Sequence, residues 1–424
     1  MADDELRRLA RDAAASQDPE PWLAYAAALR RAGRGDEALS ALAGGPSHPD
    51  IDAAIRAASW SSPAGGDGRT RWIDLEPLSR GPHLRWATHY RDWCRVTGLI
   101  VDPRVVVVAG HGTDGRDDPC DTDVGLRLLD PDTGEQRAFC RGPKDLLGVV
   151  GDAVLAYRWT GIPYSERSAD YEVSAWGLLD GEQRWTLRTP RAPSGLIGQE
   201  VIAGDGRELW RYGCDASRVG ERSPLLPFDY GFEVAGAAGR LAVSGDENVI
   251  LAGGAELARH PRLGSDHVAG DAQGWLLYAD SSKGRVAALS PEGALRAELP
   301  RGARTAVLGA DFVALGEYGR DPIELFTRQL EPQRSLDPRG ASLRCGAGAW
   351  LYGAGAGTVR GFRVDGRARW KFPEAEILAH TFERYRSWDH VDHLAPGPGQ
   401  RLYGVSAAGT AFCLEERAVR LSLG

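Results

Sequence analysis

The chain has 424 residues, of which 42% are apolar, 26% are charged and 54 are glycine. These proportions predict a folded chain of one to three domains, with glycine well above its ordinary usage of about 7%. The formal net charge of −8 argues against a nucleic-acid partner. No apolar run approaches the roughly 18 residues that a membrane span needs, so we expect no membrane association.

The start of the chain, Met1–Glu5, is acidic and has no apolar stretch of the kind found in secretory signals. The six cysteines are scattered, and no pair has the C-x-x-C spacing of a zinc or redox motif. We therefore expect a cytoplasmic protein with reduced thiols.

Residues 1–60 predict four short helices, because apolar residues recur there with a period near 3.6 between Pro and Gly breaks. The spacing Trp22-x3-Ala26-x2-Leu29-x3-Gly33-x4-Ala38-x3-Leu42 resembles one tetratricopeptide repeat. A single repeat cannot bury its own apolar face. The module is therefore either a cap that docks on the rest of the chain or a docking site for a partner. Residues 61–69 are the predicted linker.

From residue 70 onward the helical period disappears, and apolar runs of four to eight residues alternate with Gly, Asp and Pro turns. A unit of four such strands repeats at intervals of 35 to 51 residues. We used the second strand of each unit as its marker: Val105, Val154, Val201, Leu241, Leu276, Val313, Leu351 and Leu402. Residues 70–424 are thus predicted to form an all-β, eight-bladed β-propeller of four-stranded blades. A seven-bladed ring is the alternative, because the third unit (194–229) is short and irregular.

Two turns support a family resemblance. The runs Leu179–Trp185 and Val364–Trp370 both place Asp-Gly four residues before Trp. This arrangement resembles the quinoprotein-like (PQQ-type, WD40-like) propeller repeat, in which Gly forms the turn between third and fourth strands and Trp packs between blades. The adjacent cysteines of the quinone-dependent dehydrogenases are absent, so we expect no cofactor.

A narrower resemblance rests on three segments: Thr122–Asp130, Gly142–Leu147 and Tyr157–Tyr164. They are similar to the propeller component of bacterial three-part systems that also contain a MoxR-type AAA ATPase and a von Willebrand A domain protein. The resemblance implies protein partners of these two classes, in bacterial conflict or stress response.

Four insertions should lie on one face of such a ring. Residues 110–122 and 161–170 join second and third strands, whereas 141–144 and 373–389 join successive blades. Both kinds of connection emerge at the same end of a blade, and loops on a rigid scaffold commonly carry function. We therefore predict a functional sector over blades eight, one and two, although neutral variation of the loops is the alternative.

The first insertion carries five acids and one Arg within residues 111–123. Its candidate contact residues are Asp114, Asp117, Asp118, Asp121 and Asp123. An acidic patch that contacts a partner, a solvated loop and a Ca²⁺ site all remain open.

The second insertion mixes aromatic residues with Arg, the types enriched where proteins bind one another. Its candidate residues are Trp159, Tyr164, Arg167 and Tyr171, with Lys144 on the neighbouring connection. Local packing of the aromatic rings is the alternative.

The third region contributes Trp388 as a candidate contact. It also holds His380 and the pair His390-x-x-His393, which could supply metal ligands, but no third ligand is identifiable and we predict no metal.

No motif of a hydrolase, metalloprotease, nucleotide-binding or dinucleotide-binding enzyme occurs in the chain. The sequence therefore predicts a non-enzymatic scaffold that binds proteins. The alternative is an enzyme or metal-dependent binder that uses the central funnel of the propeller.

Overall fold

Short N-terminal helices precede a large β-structure in the computed structural model of the chain. It describes residues 2–32, 34–58, 70–90, 93, 95–111, 124–143, 145–160, 171–190, 192–204, 209–214, 221–223, 233–237, 239–244, 247–252, 255–261, 263, 267–271, 273–281, 284–317, 321–383 and 385–416. The helices are α1 (Ala2–Ala14), α2 (Pro19–Arg31), α3 (Gly35–Ala43), α4 (Pro49–Ala58) and α5 (Glu374–Leu378). None of these helices is both long and apolar enough to cross a bilayer.

Eight antiparallel blades of four strands form the ring, and the sheet of blade seven has one additional strand. Blade one contains β3 (Arg95–Asp102), β4 (Val105–His111), β5 (Gly125–Leu129) and β6 (Gln136–Arg141). Blade two contains β7 (Asp145–Val150), β8 (Ala153–Trp159), β9 (Tyr171–Gly177) and β10 (Gln183–Thr189). Blade three contains β11 (Ala192–Ile197), β12 (Glu200–Gly204), β13 (Leu209–Gly213) and β14 (Glu221–Ser223). Blade four contains β15 (Glu233–Ala237), β16 (Arg240–Ser244), β17 (Glu247–Ala252) and β18 (Ala255–Pro261).

The second half of the ring has the same order. Blade five contains β19 (His267–Gly270), β20 (Leu276–Asp280), β21 (Arg285–Leu289) and β22 (Leu295–Leu299). Blade six contains β23 (Thr305–Leu308), β24 (Val313–Gly316), β25 (Ile323–Phe326) and β26 (Pro332–Leu336). Blade seven contains β27 (Ser342–Ala347), β28 (Trp350–Gly355), β29 (Thr358–Arg363) and β30 (Arg369–Pro373). Blade eight contains β31 (Val391–Gly397), β32 (Arg401–Ser406) and β33 (Thr410–Glu416), together with β2 (Pro82–His89) from the N-terminal side.

The predicted eight-bladed ring is confirmed, and all eight marker residues fall on the second strand of a blade. Most residues of these strands are buried, most completely in β4, where every residue from Val105 to His111 is buried. Burial on both faces explains why the strands read as continuous apolar runs rather than as alternating patterns. The short third unit is a genuine blade, and its outermost strand, β14, has only three residues.

The ring is closed by a strand from the opposite end of the propeller. β2 pairs antiparallel with β33, so that an N-terminal strand is the outermost strand of the last blade. A further two-residue strand, β1 (Trp72–Ile73), adds in parallel to β27 at the inner edge of blade seven.

Glycine turns hold neighbouring blades together. Gly134 and Gly181 lie between third and fourth strands with φ of +72° and +67°, a conformation that favours glycine. A Cβ atom added to Gly134 would lie 2.5 Å from the ring of Trp86 in blade eight, and one added to Gly181 would lie 2.4 Å from Ala138 in blade one. The third-to-fourth turns of blades one and two are thus fitted against the outermost strand of the preceding blade.

The two ends of the ring carry different connections. We call the end with the first-to-second and third-to-fourth turns the turn rim. The other end, with the second-to-third loops and the connections between blades, is the loop rim. First strands lie closest to the axis in a propeller blade, so the first-to-second turns surround one mouth of the central channel.

The helical module docks on the turn rim. Asp36 Oδ2 at the start of α3 accepts a hydrogen bond of 2.7 Å from Gly399 N in the β31–β32 turn. In blade two, a Cβ atom added to Gly151 would lie 3.4 Å from Asp52 Oδ2 of α4. Buried apolar residues of the module, among them Leu29 and Leu42, belong to one cluster with those of the propeller.

The segment that follows the predicted linker covers more of the same rim. Thr70 O accepts a hydrogen bond of 2.9 Å from Leu308 N in blade six. Trp72 Nε1 donates one of 3.0 Å to Gly348 O in blade seven. The module and residues 70–78 therefore lie across first-to-second turns of blades six, seven, eight and two, around the channel mouth at this rim.

Candidate interaction face

The four predicted insertions start and end at the loop rim. Residues 111 and 124 bound the β4–β5 connection, and Trp159 and Tyr171 bound the β8–β9 connection. The β6–β7 and β30–β31 connections join successive blades at the same rim. The candidate face is therefore opposite the docked helical module.

Several predicted contact residues lie outside the described residues, so their predictions stand untested. These are Asp114, Asp117, Asp118, Asp121, Asp123, Lys144, Tyr164 and Arg167. Trp159, Tyr171 and Trp388 are described.

Trp159 and Tyr171 form the base of the second insertion. They are paired across β8 and β9, and 43% of the Trp159 side chain is exposed at the end of its strand. Tyr171 is half-buried and packs against Tyr157, with ring centroids 6.3 Å apart. The structure thus places Trp159 at the surface and ties Tyr171 into local packing.

The third region, between blades seven and eight, is anchored by a buried carboxylate. Asp389 accepts hydrogen bonds from Thr381 Oγ1 (2.9 Å), His390 N (2.9 Å) and Ala408 N (2.8 Å). Three donors satisfy a charge that would be costly to bury alone. Asp389 therefore fixes the path of this connection on blade eight.

On this anchored connection three aromatic rings cluster. Tyr385 makes edge contacts with Phe382 and Trp388, at centroid distances of 6.3 Å and 5.6 Å. Exposed fractions of 40% for Phe382 and 48% for Trp388 leave much of both rings in solvent. Since exposed aromatic residues on a rigid base favour protein binding, this cluster strengthens the candidate face.

The base of the first insertion rests on an aromatic platform that sequence reasoning missed. The Arg127 guanidinium lies 4.3 Å from the ring centroid of Tyr90, 4.7 Å from that of Trp93 and 4.8 Å from that of Phe139. Such cation–π contacts hold the blade-eight-to-one connection against blade one.

Two glycines make room for this platform. Gly110 and Gly125 are paired across β4 and β5, at the two ends of the first insertion. A Cβ atom on Gly110 would lie 2.7 Å from Trp93, and one on Gly125 would lie 2.6 Å from Phe139. The two glycines are visible in the sequence. The aromatic rings that they accommodate lie elsewhere in the chain, so the sequence does not show why glycine is needed there.

The histidines of the third region do not come together. His380 and His390 are exposed, whereas His393 lies on the innermost strand β31, with Nε2 3.6 Å from Asp392 Oδ2. Burial lowers the pKa of His393. The negative charge of Asp392 opposes this lowering, whereas the positive charge of Arg344 increases it. Within the described part of the chain, no three His, Cys, Asp or Glu side chains are grouped to hold a metal ion.

Comparisons with known proteins agree on the fold. No protein-family model matches the chain, and no curated protein matches it in sequence. Among solved structures, it is similar to BamB from Moraxella catarrhalis, at 15% identity and a TM-score of 0.52, covering 80% of this chain and 98% of that one.

Two dehydrogenases are similar to the same degree. A quinohemoprotein alcohol dehydrogenase from Pseudomonas putida HK5 has 12% identity and a TM-score of 0.53, over 87% of this chain and 83% of its own. A europium-containing methanol dehydrogenase has 10% identity and a TM-score of 0.55, over 84% and 91%. At such identities the likeness shows the β-propeller fold alone, and function must be argued from the site.

Proposed function

We propose that this protein is a non-enzymatic scaffold that binds a protein partner through the loop rim over blades eight, one and two. The observation that carries the proposal is the exposure of Trp159, Phe382 and Trp388 at this rim. All three lie on backbone that is fixed by strand pairing or by the Asp389 hydrogen bonds.

The other exposed large apolar side chains lie elsewhere. Within the described part of the chain they are leucines: Leu179 in a turn of the turn rim, Leu257 on β18 and Leu295 on β22. Rigid aromatic side chains lose little conformational entropy on binding, which makes them better anchors than scattered leucines. The predicted contact residues Asp114–Asp123, Tyr164 and Arg167 belong in sequence to the β4–β5 and β8–β9 connections, whose flanking strands end at this rim.

The proposed partner classes are a MoxR-type AAA ATPase and a von Willebrand A domain protein, on the resemblance of the segments at 122–130, 142–147 and 157–164. All three segments include part of a connection at the loop rim, namely β4–β5, β6–β7 and β8–β9. We also propose a cytoplasmic location, on the scattered cysteines that lack the C-x-x-C spacing.

The test is affinity purification of the tagged full chain, followed by reconstitution with purified candidates of these two classes encoded near its gene. We expect the double variant Trp159→Ala/Trp388→Ala to lose the partner. A triple variant that reverses the charges at Asp117 and Asp118 and carries Tyr164→Ala should lose it as well. The matched control, Leu179→Ala/Leu295→Ala, removes two exposed apolar side chains away from the rim and should retain the partner. Loss in the control with retention in the tryptophan variant would overturn the proposal.

A second candidate function uses the central channel. Arg344, Asp392 and His393 lie on the innermost strands β27 and β31, and Arg344 Nη2 is 3.4 Å from Asp392 Oδ1. A ligand there would enter from the loop rim, since helices and residues 70–78 lie across the other mouth. Turnover or metal binding that Asp392→Asn abolishes would favour this function over the scaffold.

A further inference from the structure

Blades six and seven carry a concentration of positive charge that the proposed loop-rim function does not use. Residues 332–373 contain eight basic and two acidic side chains, a formal charge of +6. Because the whole chain carries −8, the remaining residues carry −14. The positive charge is therefore local, on an otherwise acidic protein.

Five of these cations lie on the neighbouring outer parts of the two blades: Arg339 is in the β26–β27 connection, and the others are on β26, β29 and β30. We define the basic patch as Arg334, Arg339, Arg360, Arg369 and Lys371. Arg360 on β29 is paired directly with Lys371 on β30. Arg334 of blade six donates a hydrogen bond to Asp365 O in the β29–β30 turn, which brings the two blades together.

The strand geometry turns the side chains of the patch outward. Along β30, Arg369 and Lys371 are exposed whereas Trp370 and Phe372 are buried. Two residues along a strand span about 7 Å, and directly paired residues in neighbouring strands lie about 5 Å apart. Arg360, Arg369 and Lys371 thus form a small grid of cations.

The acids near this grid do not neutralise it. Asp337 pairs with Arg339 (3.6 Å) and Asp365 pairs with Arg363 (3.2 Å). Across the described ranges, Arg360, Arg369 and Lys371 have no carboxylate within ion-pair distance. Three cations side by side without counter-charges repel one another, so an anion would relieve an existing cost.

Arg360 is the most constrained member of the patch. Its Nε atom is buried and has no hydrogen-bond partner. Its pKa is lowered first by burial and then by the charges of Arg339 and Arg369, against a weaker opposing effect of Asp337. A guanidinium in this position can offer donors to an incoming carboxylate.

We propose that the basic patch binds an extended acidic peptide segment of a partner protein, with carboxylates at alternate positions. Alternate side chains of an extended peptide repeat at about 7 Å, which matches the Arg369–Lys371 spacing. A nucleic-acid duplex fits less well. Its row of phosphates is longer than the five-residue strand β30, so it would also meet the rest of the protein, which carries a charge of −14.

The test uses a fluorescein-labelled decapeptide of alternating Glu and Ser, with a Gln–Ser peptide as the neutral probe and a 20-base-pair DNA duplex as the polyanion probe. Fluorescence anisotropy of each probe with the full chain gives Kd at two salt concentrations. We expect salt-dependent binding of the Glu–Ser peptide, weakened at least about tenfold by Arg369→Glu/Lys371→Glu.

The matched control is Arg188→Glu/Arg296→Glu, which changes the net charge equally on β10 and β22 and should change Kd by less than about threefold. The melting temperature of the patch variant should equal or exceed that of the wild type, since reversal removes repulsion. If that variant does not fold, Arg369→Gln/Lys371→Gln replaces it. Equal weakening by both pairs, no peptide binding by the wild type, or tighter patch-dependent binding of the duplex would overturn the proposal.

Discussion

The turn rim and the loop rim are built by the same strands but are stabilised in different ways. At the turn rim, short turns with glycine at positive φ fit against the neighbouring blade, and the helical module lies across the inner turns. At the loop rim, longer connections are held at their bases by the Asp389 hydrogen bonds and by the Arg127 platform.

This difference assigns stability to one rim of the propeller and recognition to the other. Side chains at the turn rim are committed to contacts between blades, so changes there should lower stability. Side chains beyond the anchors of the loop rim, such as Trp159 and Trp388, are exposed and should affect recognition instead.

The largest effect on stability is expected at the buried carboxylate of Asp389, although it lies at the loop rim. Asp389→Ala leaves Thr381 Oγ1 and two backbone N–H groups without their acceptor, and we expect a loss of about 3 to 4 kcal/mol in the free energy of unfolding. Urea denaturation measures it. Glu383→Ala, an exposed change in the same connection, should cost less than about 0.5 kcal/mol. Similar losses for both variants would mean that the connection is not anchored by Asp389.

A pair of glycines tests the turn rim. Gly134→Ala adds both the strain of φ +72° and a clash with the ring of Trp86, so we expect a loss of about 3 kcal/mol. Gly198→Ala, at φ +60° with no atom within 4 Å of the added Cβ, should cost only about 1 kcal/mol. Equal losses would show that strain alone, without packing between blades, accounts for the glycine requirement. Thermal unfolding of both variants provides the measurement.

Docking of the helical module should depend on pH through Asp36. Burial raises the pKa of this carboxyl to about 6, the nearby charge of Glu76 adds to the rise, and the hydrogen bond from Gly399 opposes it. Because the pKa is higher in the folded state, the stability that this group contributes is fully present below about pH 4 and is lost as the pH rises towards 6.

Asp36→Asn removes this titration while keeping an acceptor for Gly399 N. We expect the variant to gain about 1 to 2 kcal/mol over the wild type between pH 4 and pH 7, in a comparison of urea unfolding curves at both values. A constant difference between the two proteins across this pH range would contradict the prediction.

The smallest effect on stability is expected at the exposed aromatic cluster. Trp388→Ala removes a ring that is 48% exposed, so its cost to folding should stay below about 1 kcal/mol. Partner binding should nevertheless weaken by about tenfold or more, as for aromatic anchors in other interfaces. A large loss of stability without an effect on binding would assign the ring to packing. Parallel melting and binding measurements on this variant distinguish the two.

Much of the fold could be predicted from the sequence because its signals are local. The apolar runs around Val154 and Leu351 are bounded by Gly turns within a few residues, and a repeat at 35 to 51 residues follows directly from them. The turn glycines Gly134 and Gly181, both at positive φ in the structure, have the same local origin.

The remaining features depend on pairing between distant residues. β2 alternates too weakly to identify its partner, and β1 has two residues and no pattern of its own. The Arg127 platform joins Tyr90 and Trp93 to a strand that begins more than thirty residues later, at Gly125. The net charge of the whole chain does not reveal the basic patch, because the acidic remainder outweighs its local excess of Arg.

Closure of the ring by β2 has a consequence for biosynthesis. His89 on β2 bonds Thr410 on β33, a residue 321 positions later in the chain. At about 5 to 20 residues per second, a ribosome needs about 16 to 64 s to synthesise that interval. Throughout that time the edge of β2 has no native strand to pair with, so the nascent chain is exposed to premature association until the eighth blade emerges.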